Sequence, residues 1–510
     1  MSSTGAASSN RGADSAPSGA TSHAAPQLQY SNEDLQRMNV RDLEQLQRSV
    51  PCLSEDWDRV TFALLSLQLR RWPSAALVQQ TEEYLQHLGS EWTVDNYHRR
   101  STLTLQLPRV KRRLKVQSAS EACVPLRKGY EGLLRLFSGL ENHDRNKFYV
   151  LCALRGMRAD YLFELGMEAK RPIEAMEFLQ GEEAAHPECA LTKETVMALR
   201  RGDRLQFNDS AKLARCFQQE ECNRGTLLGQ SILELRSKSG DAASSGTEKK
   251  VEELLVELKN VYERVHKVVE EDWFGCDEST QNRIVGAVVG RSARALHDVG
   301  LFQEALDQAL KGIEHVRRCI PAEGDHLDRR KEGDIREAIF ILRHAADLRF
   351  EILGEACVQC HPYDKHALAD EASRDLEEAF SLLRRIPDSD YSFSYKDECK
   401  RKLLVCQAQW KMVLGMWEEA LDRLVVASKC TCQKDGSRKL MQLLECRCRL
   451  ELALPDSEEQ EDLARRFREL QDEFMQQLEE DCVLAGPEAA AYKFDRLMSG
   501  LDAGCVEMFY

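Results

Sequence analysis

The residues whose types and spacing come closest to chemistry are Cys357, Cys360 and His361, a C-x-x-C-H run that matches the attachment pattern of c-type haem. Haem held this way needs an axial-ligand pocket and an exported setting, and here the run falls where a helical pattern gives way to a loop before Pro362. Zinc is the second reading, with Cys357, Cys360 and His361 gathering His366 or the Cys430 and Cys432 thiols. Structural zinc is usually held by two well-separated short-spaced pairs, whereas a single residue divides Cys430 from Cys432. Cys446 and Cys448 have the same spacing, which on a helix points them to different faces. Buried apolar thiols account better for all of these, so no metal or cofactor is expected.

A second constellation is electrostatic. From Tyr97 to Val116 the chain carries Arg99, Arg100, Arg109, Lys111, Arg112, Arg113 and Lys115 and no acid, against a formal net charge of −15 for the whole. Such a stretch reads as a nuclear-import or docking sequence, as a phosphate-binding surface, or as an intramolecular partner for the acidic C-terminal helix. A solvated basic face is the plainer account. From Glu451 to Asp481 there are 12 acids against Arg465, Arg466 and Arg468, which reads as a solvated capping face. The net charge argues against general nucleic-acid binding, because neutralising phosphates needs concentrated basic charge.

Catalytic signatures are missing: no Gly-rich phosphate loop, no H-E-x-x-H and no G-x-S-x-G. The expectation is a protein that is not an enzyme and has no small-molecule substrate.

The elements that would position these residues are helical. Hydrophobic content of 43%, aromatic content of 7% and only 13 Pro in 510 residues favour an all-α fold over a sandwich. Residues 1–29 are rich in Ser, Ala and Gly and read as a disordered tail. Residues 30–236 read as an N-terminal helical region opened by a cap at Ser31, with Pro51, Pro73 and Pro108 separating its first helices. Residues 237–249 read as a flexible linker, 250–483 as a helical array, and 484–510 as a C-terminal tail. The 18 Cys without an apolar leader suggest free thiols in a reducing compartment. No apolar run approaches the roughly 20 residues that span a bilayer, so no membrane partner is expected. A cytoplasmic location follows, with the nucleus as the alternative.

Within the array two segments have matching spacings. Val289, Ala293, Leu296, Gly300, Phe302, Ala305, Ala309 and Gly312 correspond to Leu404, Ala408, Lys411, Gly415, Trp417, Ala420, Leu424 and Ala427. Each reads as a helical hairpin, with a Gly at the turn, an aromatic after it, and small residues where the two helices approach. Setting Ala305, Ala379 and Ala420 as equivalent leaves gaps of 74 and 41 residues. The first gap has room for two units of about 37 residues.

These stretches, Gly300-Leu-Phe302-Gln-Glu-Ala305-Leu and Gly415-Met-Trp417-Glu-Glu-Ala420-Leu, resemble tetratricopeptide repeats. The resemblance implies an α-solenoid whose groove captures peptides or helices of partner proteins, with Ala293, Gly300, Phe302, Ala305, Ala408, Gly415, Trp417 and Ala420 as packing residues. The Trp and Leu-Gly of the family's first helix are absent, so its carboxylate clamp is not implied. Further upstream, Lys147-Phe-Tyr-Val with Arg155, Arg158, Asp160 and Tyr161 is similar to the central helix of 14-3-3 proteins, which implies a phosphate held by Arg and Tyr. The function expected is a scaffold or adaptor that binds partner proteins. The alternative is a nuclear or nucleic-acid-associated regulator acting through residues 97–116.

Overall fold

The computed structural model describes residues 30–502, apart from 53, 142–144, 202–206, 240–244, 360–362, 389, 431–434 and 482–485. The expected N-terminal tail, and Cys360, His361 and Cys432, lie outside the described residues. Among those described, all regular structure is helical.

Two compact units divide at Leu85 and Gln86. The first holds α1 (Asn32–Arg37), α2 (Val40–Ser49), α3 (Glu55–Arg71) and most of α4 (Ala75–His87). Ser31 opens α1 through a reciprocal cap: its hydroxyl accepts from the Asp34 N–H at 3.2 Å, and its own N–H donates to the Asp34 carboxylate at 2.9 Å. Leu35, Leu43, Val60, Ala63 and Leu64 form the core of this unit.

The second unit begins with α5 (Tyr97–Arg113), α6 (Ala119–Gly139) and α7 (Arg145–Phe163), which runs into a π-helical turn (Glu164–Glu168). It continues through α8 (Pro172–Ala185), α9 (Lys193–Arg201), α10 (Phe207–Ser239), α11 (Ser245–Lys259) and α12 (Val261–Glu270). Three hairpins follow: α13 (Glu278–Asp298) with α14 (Phe302–Arg317), α15 (Arg329–Val358) with α16 (Lys365–Arg385), and α17 (Asp390–Val413) with α18 (Trp417–Ser428). The last three helices are α19 (Asp435–Leu452), α20 (Glu458–Asp481) and α21 (Gly486–Asp502). Side-chain caps start several of them, with Ser118, Asp277, Asp328 and Asp364 each accepting from first-turn N–H groups.

Four expectations are corrected. Pro108 does not end a helix, because Leu103, Leu107 and Val110 are buried on either side of it and carry α5 through to Arg113. The supposed linker does not separate two domains. Its residues 237–239 and 245–249 are helical, and one continuous core joins Leu227, Leu228 and Ile232 of α10 to Leu258 of α11 and Val288 of α13. Gly225 and Gly229 allow this join, since a Cβ on either would lie 3.0 Å from Ser292 or Ala295. The long gap between Ala305 and Ala379 contains a single hairpin rather than two, because α15 is 30 residues long. Finally, residues 486–502 are no tail: they form α21, which packs on α15.

The two matched hairpins close identically. Gly300 and Gly415 have φ of +85° and +71°. At the first, the Gly300 N–H donates to His297 at 3.0 Å and the Leu301 N–H to Leu296 at 2.9 Å. At the second, the Gly415 N–H donates to Met412 at 2.9 Å and the Met416 N–H to Lys411 at 2.8 Å. This is the Schellman pattern, whose left-handed residue is most often Gly. Close approach inside the first hairpin comes from Gly286 and Gly312, because a Cβ on Gly286 would overlap Val316.

Candidate functional site

The seven basic residues from Arg99 to Lys115 do not act as one patch. Arg99 donates to the Asp95 carbonyl at 3.1 Å, and Arg100 lies over the Trp92 ring, 4.9 Å from its centroid. Arg109 reaches Asp160 at 2.5 Å, while Arg112 bridges Glu164 at 2.8 Å and Glu168 at 2.6 Å. Lys111 is half-buried, whereas Arg113 and Lys115 are exposed. The acids answering this segment stand on α7 and its π-turn, about fifty residues away in sequence. Burial pushes the Asp160 and Glu164 carboxyls up, opposed by Arg109 and Arg112. Much of the segment's charge is therefore used within the unit.

A cavity of about 490 Å³ lies between α5, α7 and α10, lined by Arg109, Arg112, Arg113, Asp160, Phe163 and Asn223. Arg155 and Arg158, the residues that resemble a phosphate-holding pair, point elsewhere. Both are buried and both pair with Glu220, and Arg155 also donates to the Cys189 carbonyl at 2.5 Å. Burial brings the Arg155 pKa down to about 9. Tyr161 packs edge-on against Phe178 at 4.8 Å between centroids. With every one of these groups turned inward and partnered, they do not present a phosphate site.

In the array, Ala293, Ala305, Ala408 and Ala420 are fully buried, Phe302 nearly so, and Trp417 is half-buried. The first helices of successive hairpins, α13, α15 and α17, are direct neighbours, followed by α19. Their contacts include the Arg283–Asp334 and Arg291–Glu337 pairs between α13 and α15. Where these helices meet lies a cavity of about 290 Å³, with His297 from α13, Arg343 and Glu351 from α15, Arg401 and Gln409 from α17, and Leu440 from α19. Sequence reading missed it. A signal was available: the register that aligns Gly300 with Gly415 sets Arg401 against the buried Gly286.

Cys357 lies 2.9 Å from the Tyr363 hydroxyl, and no group of three or more metal-ligand side chains occurs among the described residues. Cys446 and Cys448 face different clusters, Cys446 toward α20 and Cys448 toward the main core. Burial pushes the Cys448 thiol up to about 12 and the Cys319 thiol to about 11, so both stay protonated and unreactive at neutral pH. No helix of the described residues is long and apolar enough to cross a membrane.

Fold and surface together define an all-α protein of stacked helical hairpins whose first helices share a cavity-bearing face. In comparisons with known proteins, no family model matches the chain and no curated protein matches it.

Proposed function

We propose that this chain is a non-enzymatic adaptor that binds partner proteins through the face shared by α13, α15, α17 and α19, capturing a peptide or helix and so assembling a complex. One observation carries the reading: side chains from four separate helices, charged and apolar together, converge on one cavity between neighbouring elements. Stacked hairpins present surfaces of this kind for extended peptides and helices. The likeness of the segments around Gly300 and Gly415 to tetratricopeptide repeats adds to it, and the free cysteines suit a reducing compartment such as the cytoplasm or nucleus.

The test uses the full chain with a photo-crosslinking residue at Gln409, on the cavity wall, and in a second preparation at the exposed Arg465 of α20. One protein partner labelled in high yield from position 409 and not from 465 is expected. Equal labelling from both positions, or none from 409, removes the reading.

The alternative, a nucleic-acid-associated regulator working through residues 97–116, is weakened by the Arg109 and Arg112 pairings with Asp160, Glu164 and Glu168. Were it correct, affinity for nucleic acid would fall steeply with salt and would drop when Arg113 and Lys115 are neutralised.

A further inference from the structure

The cavity between α13, α15, α17 and α19 holds one cation too many. Arg401 lines it, is 1% exposed, and makes no ion pair or hydrogen bond among the described residues; its Nε is buried without a partner. The other charged groups lining the cavity are already matched, and Asp397, one turn earlier on α17, is hydrogen-bonded to Cys430 and forms no ion pair with Arg401. Arg343 pairs with Asp347 at 2.7 Å, and Lys402 with Glu398 at 2.6 Å. Glu351 pairs with Arg496 at 3.1 Å and lies 3.7 Å from His297. No carboxylate of the cavity is left for Arg401.

A guanidinium does not shed its proton to escape this, and a buried charge without a counter-charge costs several kcal/mol. The other buried arginines of the unit obey that rule: Arg155, Arg158, Arg349 and Arg496 each meet a carboxylate. Nor does stacking require an arginine here, because the matched position of the first hairpin is Gly286. Arg401 is thus a buried charged side chain that lines a cavity without a counter-charge among the lining residues.

We propose that this cavity binds an anionic group, a carboxylate or a phosphate monoester, whose oxygens complete the Arg401 fork, with Lys402 and Arg343 beside it. Bidentate pairing of guanidinium with either anion supplies the geometry, and about 290 Å³ admits the group together with the side chain that bears it. The source of the anion, an acidic or phosphorylated side chain of a captured peptide, rests on the function proposed above; the anion site itself does not.

The full chain is melted in chloride, acetate and inorganic phosphate at equal ionic strength. Expected, beyond the general stabilisation these anions give any folded chain, is a Tm about 2 °C or more higher in phosphate, in acetate, or in both, than in chloride. Arg401→Met loses this rise, and in chloride it melts no lower than the parent because the unpaired charge is gone. Arg423→Met, at an exposed position on α18, keeps the rise. A rise in phosphate alone assigns a phosphorylated ligand, and a rise in acetate as well assigns a carboxylate. Should Arg401→Met fail to fold, Lys402→Ala reads the site by shrinking the rise. Equal melting in all three salts overturns the inference. So does an Arg401→Met protein that keeps the rise, or that melts lower by the same amount in every salt. Cross-linking at position 409 can fail while this shift stands, and the reverse, so the two ideas fall separately.

Discussion

Gly300 and Gly415 hold the same left-handed backbone at the ends of α13 and α17, each inside a Schellman closure and each followed at two residues by the aromatic that opens the next helix. Neither glycine is there for lack of room, because a Cβ at either would meet nothing within 4 Å. Conformation alone selects the residue.

Gly300→Ala and Gly415→Ala therefore destabilise by the cost of a left-handed alanine, about 1 kcal/mol each, and not by a clash. Asn at either position should recover part of that loss, since it tolerates this region better. Chemical denaturation of the single variants and the double variant checks it, and the two losses should add because the sites share no partners. A loss of several kcal/mol at either position would contradict the open surroundings.

The hairpins were legible in the sequence because their determinants are local: a glycine with positive φ, an aromatic after it, and small residues at helical spacing. The core that joins α10 to α11 and α13 was not, since it depends on Gly225 and Gly229 meeting Ser292 and Ala295 on α13, far along the chain. The basic segment misled for the same reason. Its composition was plain, but the acids that neutralise Arg109 and Arg112 lie on α7 and its π-turn. Arg401 lay within the repeat register, yet only packing positions were aligned, and a buried charge leaves no apolar pattern to find.

The pairing within the basic segment separates a structural arginine from an exposed one. Glu164 is 1% exposed, and one of its oxygens already has no partner, so Arg112→Ala leaves a buried carboxylate without its cation. Such a change costs about 3–5 kcal/mol. Arg113→Ala, an exposed neighbour with no carboxylate partner among the described residues, should stay within about 0.5 kcal/mol of the parent. Urea midpoints of the two variants decide it, and equal losses would mean that the Arg112 pairings carry no stability.

Docking of α21 depends on a contact between backbones. A Cβ on Gly354 of α15 would strike the backbone of Arg496, which cannot rotate away as a side chain can. Gly354→Ala should therefore push α21 off α15 while the rest of the unit stays folded, uncovering Phe350, which packs against Gly500. Limited proteolysis should then cut within 486–502 in the variant and spare this segment in the parent. Resistance equal to that of the parent would show that the two helices can separate by enough to admit a methyl group.

The same joint should be the acid-sensitive one. Burial raises the Glu351 carboxyl, but the His297 ring 3.7 Å away and the charge of Arg496 outweigh it and hold the group below its ordinary value. A carboxylate depressed in the fold contributes stability that is complete above its unfolded pKa of about 4.3 and is lost as pH falls through the folded value. Asp160, Glu164 and Asp375 run the other way: burial raises each of them, so protonation in acid relieves them. As pH falls below about 4.3, then, the contact between Arg496 of α21 and Glu351 of α15 should weaken. Hydrogen exchange of the α21 amides should quicken as pH falls through that range before exchange in α7 does, since acid relieves Asp160 there. Glu351→Gln should make exchange in α21 fast already at neutral pH and nearly independent of acid. Protection of α21 that survives at low pH in the parent would remove the Glu351–Arg496 pair as the element that holds this helix.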